Sequence, residues 1–125
     1  MHPDVHAILE RVKETADFCY VDFADINATN ALGDNALHCV IVWGDYQAAK
    51  TLLAHGIHVN QPGEDRYTPL HHACLLGRIE IVELLLENGA DASARTVGDL
   101  PFTTARLRGH DEICELLKAF TKKDA

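Results

Sequence analysis

Apolar residues recur at helical spacing in two blocks of the stretch TPLHHACLLGRIEIVELLLENGAD, which covers residues 68–91. In the first block, Leu70, Ala73 and Cys74 stand at i, i+3 and i+4, which places them on one face of an α-helix. The second block repeats this periodicity over a longer run. Its apolar residues are Ile79, Ile81, Val82, Leu84, Leu85 and Leu86. The pattern predicts two short helices, each with one buried face.

The residues that flank the two blocks are typical of helix ends. Thr68 is a good N-cap, and Pro69 suits a first helical turn, where a missing N–H costs nothing. Gly77 and Gly89 follow the two blocks, and glycine tolerates the left-handed conformation that ends many helices. The stretch therefore predicts a helix–turn–helix unit.

The unit occurs three times along the chain. NALHCVIVWGDYQAAKTLLAHGIHVN begins at Asn35, the copy described above begins at Thr68, and LPFTTARLRGHDEICELLKAF begins at Leu100. The spacings are 33 and 32 residues. A single helix pair cannot cover its own apolar surface, whereas stacked copies can, each contacting only its neighbours. The sequence therefore predicts an all-α solenoid.

Residues 3–24 precede the repeats and predict an N-terminal cap. An amphipathic helix is indicated by four apolar residues at i, i+3, i+4 and i+7. These are Val5, Ile8, Leu9 and Val12. We expect Phe18, Cys19 and Tyr20 to form the second half of this cap.

The chain resembles the ankyrin-repeat family through TPLH at 68–71, Ala73, Gly77, IVELLLENGAD at 81–91 and RGH at 108–110. The resemblance implies an ankyrin-repeat solenoid of helix-turn-helix units with hairpin loops. It also implies that His38 and His71, which share one repeat position, hydrogen-bond their helices to a neighbouring loop. We expect one domain over residues 1–125, with the cap at 3–24 and repeats at about 30–62, 63–95 and 96–121.

Four positions depart from the family pattern. Asn35 and Ala36 stand where the motif has threonine and proline, and Leu100 and Thr103 where it has threonine and histidine. We expect the first repeat to be less tightly specified and to fray. The last repeat is expected to act as a C-terminal cap.

The resemblance also implies a binding surface, because family members bind partners through the hairpin tips and the exposed side of the first helices. The tips comprise Ala31, Leu32, Asp34, Glu64, Asp65, Tyr67, Val97 and Asp99. The ends of the first helices comprise Val42, Trp43, Leu75, Leu76, Leu107 and Arg108. Five of these six helix-end residues are apolar, and contiguous exposed apolar surface usually marks an interaction site. We expect them to form a row along the groove, beside a row of carboxylates from Asp34, Glu64, Asp65 and Asp99. The alternative is that some of them pack against neighbouring helices as core.

The charge of the chain limits its partners. The net charge is −8, whereas nonspecific nucleic-acid binding needs a basic surface. Residues 1–65 hold ten acidic and three basic residues, a net charge of −7. We therefore expect a protein partner with a basic rim, such as a toxin or an enzyme, and no nucleic acid. No apolar run approaches the length of a membrane span, so no membrane partner is expected.

Candidate chemistry is sparse. The separations of Cys19, Cys39, Cys74 and Cys114 match no zinc-binding or redox pattern, and we expect three of these thiols on apolar helix faces. Adjacent histidines such as His71 and His72 point about 100° apart on a helix and cannot chelate one ion. We find no phosphate-binding loop or nucleophile motif. We therefore expect no enzyme activity, catalytic residue, metal site or cofactor.

The leading hypothesis is a non-catalytic module that binds a partner protein through its concave face. A more specific version of this hypothesis is an inhibitor or immunity protein, that is, an antitoxin that blocks a cognate toxin. The alternatives are a regulatory or scaffold subunit docking on a cytosolic enzyme or transcription factor, and a self-associating module. We expect a cytoplasmic protein that is monomeric when free.

Overall fold

The structure is a computed structural model that describes residues 1–96 and 98–123, the side chains of the last two excepted. Among the tips named above, Val97 lies outside the described residues. The helices are α1 Pro3–Lys13, α2 Ala36–Trp43, α3 Tyr46–Ala54, α4 Pro69–Leu76, α5 Ile79–Glu87, α6 Pro101–Leu107 and α7 Asp111–Lys123. A 3₁₀ turn spans Glu64–Arg66, and no strand occurs in the described part of the chain.

The helices stack in two layers. Helices α2, α4 and α6 pack side by side and form an inner layer, and α3, α5 and α7 form an outer layer behind it. Each inner helix packs on the outer helix that follows it, and α1 closes one end against α2 and α3. The predicted all-α solenoid is confirmed.

The core lies between these two layers. Its largest fully buried residues include Leu37, Ile41, Leu52, Leu70 and Leu85. Ala49 and Ala73 are also fully buried, and their small side chains allow the two layers to approach closely. Each repeat thus buries apolar surface that an isolated helix pair would expose to water.

The first two repeats begin with the same N-cap structure. The Thr68 side chain accepts a hydrogen bond from the His71 N–H, and the Asn35 side chain accepts one from the His38 N–H. The Asn35 amide also donates to the carbonyl of His58, at 3.2 Å. Asparagine therefore caps the first repeat as threonine caps the second and adds a contact, while fraying of the first repeat stays a prediction. Leu100, by contrast, provides no side-chain cap for α6.

The N-terminal cap is simpler than the sequence suggested. The four apolar residues of α1 are buried, as predicted. After α1 the chain forms turns rather than a second helix. Phe18 is buried, but Cys19 is exposed and Tyr20 is 98% exposed. Only Phe18 therefore contributes to the expected second half of the cap.

The cysteines are free thiols at different depths. Cys74 and Cys114 are buried, and Cys39 is partly buried on α2. Burial raises the pKa of the Cys74 thiol to about 12 and that of Cys39 to about 11. Because the thiolate is the reactive form, these two thiols are poor nucleophiles at neutral pH. Among the described residues, no helix is long and apolar enough to cross a membrane.

Candidate functional site

Two histidines connect the start of an inner helix to the loop of the next repeat. His38 Nε2 donates to the Tyr67 carbonyl at 2.9 Å, and His71 Nε2 donates to the Asp99 carbonyl at 3.1 Å. Their Nδ1 atoms accept from the backbone N–H of the N-cap residues, which assigns the tautomer of each ring. Burial lowers the pKa of both histidines, so the neutral rings both donate and accept. The role implied for these histidines is confirmed.

A second repeated contact joins the far ends of the inner helices. Arg78 Nη2 donates to the Val42 carbonyl at 3.0 Å, and His110 Nε2 donates to the Leu75 carbonyl at 3.2 Å. Each donor directly follows the glycine that ends its own inner helix, and each acceptor lies near the end of the preceding one. The ends of neighbouring inner helices are therefore held side by side.

Glycine is required where these contacts form. Gly44 and Gly77 have φ values of 70° and 72°, which disfavour other residues. A Cβ on Gly77 would lie 2.8 Å from Cε1 of His110, and one on Gly44 would lie 3.0 Å from Cζ of Arg78. The glycines thus end the helices and leave room for the side chains that connect the repeats.

Four large apolar side chains are exposed at these connected helix ends. They are Val42 at 51%, Trp43 at 38%, Leu76 at 39% and Leu107 at 67%. We call these four residues the apolar row. Leu75 is partly buried and Arg108 is exposed. One alternative was that some of the six helix-end residues pack in the core. It is wrong for Val42, because about half of the Val42 surface is exposed to solvent.

Trp43 is only partly available to a partner. The Arg11 guanidinium lies over its ring, 4.9 Å from the centroid, and donates to Asp45 Oδ2 at 3.2 Å. A cation over an indole face is a favourable contact. The cap helix α1 therefore covers part of the tryptophan and orients the remainder.

The predicted acidic residues differ in accessibility. Glu64 and Asp65 are exposed, and Asp65 has a φ of 55°, an uncommon backbone conformation outside glycine. Asp34, with 18% side-chain exposure, accepts a hydrogen bond from the Glu64 N–H at 3.2 Å. Asp99 is partly buried. Of the four predicted carboxylates, only those of Glu64 and Asp65 are thus exposed to solvent and accessible to a partner.

The hairpin tips and the apolar row lie at opposite ends of the inner helices. The tips precede each inner helix, and the row ends it. Helix α4 has eight residues, which corresponds to a length of about 12 Å. The sequence suggested that the acids lie directly beside the apolar row. The structure instead separates the two sets by about the length of an inner helix. Of the other tip residues, Leu32 is 52% exposed, and Tyr67 is partly buried against the rings of His71 and His72.

A separate hollow lies at the last repeat. It has a volume of about 1030 Å³, and its lining includes Leu100, Phe102, Leu117 and Phe120. Lys118 reaches over the Phe102 ring at 5.6 Å. This hollow is the apolar end of the stack and contains none of the predicted site residues.

Stacked helix pairs joined by repeated side-chain to backbone hydrogen bonds define a helical repeat protein. The family model for ankyrin repeats, in three copies, matches residues 5–96. The chain belongs to the ankyrin-repeat family.

Curated relatives share this repeat region. The ankyrin repeat protein YahD of Escherichia coli (strain K12) is 39% identical over 102 residues, which cover 76% of this chain and 51% of YahD. Protein phosphatase 1 regulatory subunit 27 of Homo sapiens is 36% identical over 87 residues, covering 69% of this chain and 56% of that protein. Serine/threonine-protein kinase TNNI3K of Mus musculus is 36% identical over 76 residues, covering 53% of this chain and 9% of the kinase. The chain thus spans about half the length of two of these relatives and a small part of the third.

The shared region contains repeats, and ankyrin repeats are in general non-catalytic modules for protein–protein interaction. The repeats of this chain are therefore of a type that generally mediates protein–protein interaction.

Proposed function

We propose that the chain binds a partner protein through the apolar row and regulates that partner by covering part of its surface. The observation that carries this proposal is the exposure of four large apolar side chains at equivalent ends of three packed helices. The ankyrin fold does not require apolar residues there, whereas tryptophan and other large anchors dominate binding energy in protein interfaces.

The apolar row is also rigid before a partner arrives. Arg78 and His110 tie the inner helices together at the backbone of Val42 and Leu75, and Arg11 restrains the Trp43 ring. A preformed surface loses little conformational entropy on binding, so more of the contact energy contributes to affinity.

The charge distribution supports a partner with a basic rim. The exposed carboxylates of Glu64 and Asp65 lie about one helix length from the apolar row, within the span of an ordinary interface. With a net charge of −8, the chain attracts a basic surface over long range and raises the encounter rate. The acidic tips would then orient the partner as its apolar ridge meets the row.

A basic rim is characteristic of proteins that act on nucleic acid or other anionic substrates. An acidic module covering such a surface would act as an inhibitor, in the manner of an immunity protein bound to its toxin. The alternative is a regulatory subunit of a cytosolic enzyme, which is supported by the relative named as a regulatory subunit of protein phosphatase 1. In both cases the mechanism is steric cover with electrostatic steering.

Replacing Trp43 and Leu76 by alanine together tests the proposal. We expect partner affinity to fall at least about 30-fold, because two anchors in an interface each contribute on the order of 1–2 kcal/mol or more. The partner is first identified by affinity purification with the native chain, and the dissociation constant is then measured for each variant.

Tyr20→Ala is the matched control, because Tyr20 is the most exposed large apolar side chain and lies outside the row. It should retain native affinity. Sedimentation at micromolar concentration separates partner binding from self-association through the same row. Unchanged affinity in the double alanine variant would contradict the proposal that the partner binds the apolar row.

Reversing Glu64 and Asp65 to lysine tests the electrostatic part separately. We expect the association rate to fall roughly 10-fold at low salt while the dissociation rate changes little, because rim charges act mainly on encounter. Asp34 is left unchanged, since its carboxylate accepts the Glu64 N–H and its loss would disturb the loop.

Glu80→Lys with Glu83→Lys provides the control for net charge. Both residues are exposed on α5 in the outer layer, so this pair changes the total charge equally without altering the tips. A similar rate loss in both pairs would attribute the effect to net charge alone and contradict steering by the tips.

A further inference from the structure

Three potential metal ligands meet at the junction of the first and second repeats. A carboxylate oxygen of Asp34 and one ring nitrogen each from His38 and His72 all lie within 4.8 Å of one another. His38 Nε2 and Asp34 Oδ1 are 4.0 Å apart. Asp34 and His38 belong to the start of α2, whereas His72 comes from α4, so only the stacking of repeats brings the three together.

The separations suit a small cation. A point between three atoms that are at most 4.8 Å apart lies within about 2.8 Å of each, and Zn²⁺ bonds to imidazole nitrogen and carboxylate oxygen at about 2.0–2.2 Å. Side-chain shifts of less than about 1 Å would bring all three ligands to bonding distance. Two imidazoles and one carboxylate form a ligand set that zinc commonly uses, with water in the fourth position.

His72 supplies an independent indication of a ligand. Its Nε2 atom is enclosed, yet it has no hydrogen-bond partner among the residues that the structure describes. Buried polar atoms are nearly always paired, so an unpaired nitrogen on a ring that also approaches a carboxylate and a second imidazole points to a missing partner.

The surroundings of His38 can support ligation. Its Nδ1 lies 3.0 Å from the Asn35 side-chain oxygen and 3.0 Å from the Asn35 backbone nitrogen. Metal binding would move the ring proton from Nε2 to Nδ1. The Asn35 side-chain oxygen would then accept from Nδ1, in place of the hydrogen bond that Nδ1 accepts from the Asn35 N–H, and Nε2 would have a lone pair for the metal. Binding would exchange the hydrogen bond from Nε2 to the Tyr67 carbonyl for a metal–nitrogen bond.

We propose that Asp34, His38 and His72 form a Zn²⁺-binding site that joins the first two repeats, with water as the fourth ligand. The bound ion would neutralise the Asp34 carboxylate and satisfy the unpaired His72 nitrogen. Because the ligands come from two repeats, the ion binds the stacked state and not the unfolded chain. Zn²⁺ should therefore raise the thermal unfolding temperature of the protein.

The test is calorimetric titration of ZnCl₂ into the full chain after EDTA treatment and dialysis. We expect one equivalent to bind to the native protein. His72→Gln and Asp34→Asn should each weaken that binding at least about 10-fold, as loss of one ligand does. Two variants are used so that, if one variant fails to fold, the other still gives an informative result. Far-ultraviolet circular dichroism shows whether each variant is folded.

His55→Gln is the control, because the rings of His2 and His55 lie 4.5 Å apart and form another pair of potential zinc ligands. It should leave the high-affinity equivalent intact. Co²⁺ in place of Zn²⁺ should give visible absorption typical of four-coordinate cobalt, and this absorption should disappear in His72→Gln. The proposal is overturned by native affinity in the folded His72→Gln variant, by loss of binding in His55→Gln, or by no stoichiometric binding to the native chain.

Discussion

Leu70→Ala is expected to lower the free energy of unfolding by about 2–5 kcal/mol, the range for deleting a buried leucine side chain. Leu70 has no accessible surface, and its helix α4 packs against α2, α5 and α6. A cavity at this position weakens the contacts of the middle repeat with both neighbours. In a short stack, the terminal units depend on that middle repeat for their own stability. Urea unfolding followed by circular dichroism measures the change.

Leu76→Ala is the matched control, because it removes the same side chain from the same helix at a site that is 39% exposed. Its stability loss should stay below about 1 kcal/mol, as for most surface substitutions. This control also serves the binding experiment, since it shows that the Leu76 side chain is not required for folding. Equal losses in the two variants would contradict the assignment of Leu70 to the core and Leu76 to the surface.

Acidification is expected to destabilise the protein between about pH 6.5 and pH 4. Burial, followed by the charge of His38, lowers the pKa of His72 from 6.5 to about 4. Between these values the unfolded chain binds more protons than the folded chain, so the free energy of unfolding falls as the pH falls. At about 1.36 kcal/mol per pKa unit, His72 accounts for a loss on the order of 3 kcal/mol. His38 and His71, whose pKa values are also lowered by burial, add to the loss in the same direction.

The measurement is urea unfolding at several pH values in the presence of EDTA, so that metal binding does not contribute. His72→Gln has no group that titrates in this range at position 72 and should show a shallower loss of stability on acidification. His58→Gln, which removes an exposed histidine, should follow the native curve. Parallel curves for the native chain and His72→Gln would show that the His72 ring does not control acid stability.

The helices were predictable because each has its own local signals. Thr68 and Pro69 start α4, Gly77 ends it, and Leu70 with Ala73 supplies the buried face. The sequence was less informative about the cap, whose second half was expected to be formed by Phe18, Cys19 and Tyr20. Of these three residues only Phe18 packs in the core, and the exposed Tyr20 shows that apolar character alone does not determine burial.

The candidate site was predicted as a set of residues but not as an arrangement. Repeat alignment placed Trp43, Leu76 and Leu107 at helix ends, and the structure shows all three exposed. It did not place the acids correctly relative to them, because position within a repeat does not give the distance along the inner helix. It also missed the contact of Arg11 with Trp43, which joins two elements 32 residues apart.

The zinc-site proposal illustrates the same limit. Sequence reasoning paired His71 with its neighbour His72 and dismissed chelation, because adjacent helical side chains diverge. The observed neighbour of His72 is His38, from the previous repeat. The signal was present as two histidines separated by 34 residues, one more than the repeat spacing. It becomes meaningful only when the repeats are stacked.

The sequence by itself determined the helices, their ends, the repeat spacing and the family, since all of these depend on interactions within about four residues or on a copied pattern. The tertiary structure decided which apolar residues stay exposed, which carboxylates are held by backbone N–H groups, and which histidines meet. These properties depend on contacts between repeats, such as Arg78 with the Val42 carbonyl and His38 with the Tyr67 carbonyl. Such contacts form across about 30 residues of chain and exist only after the layers have packed.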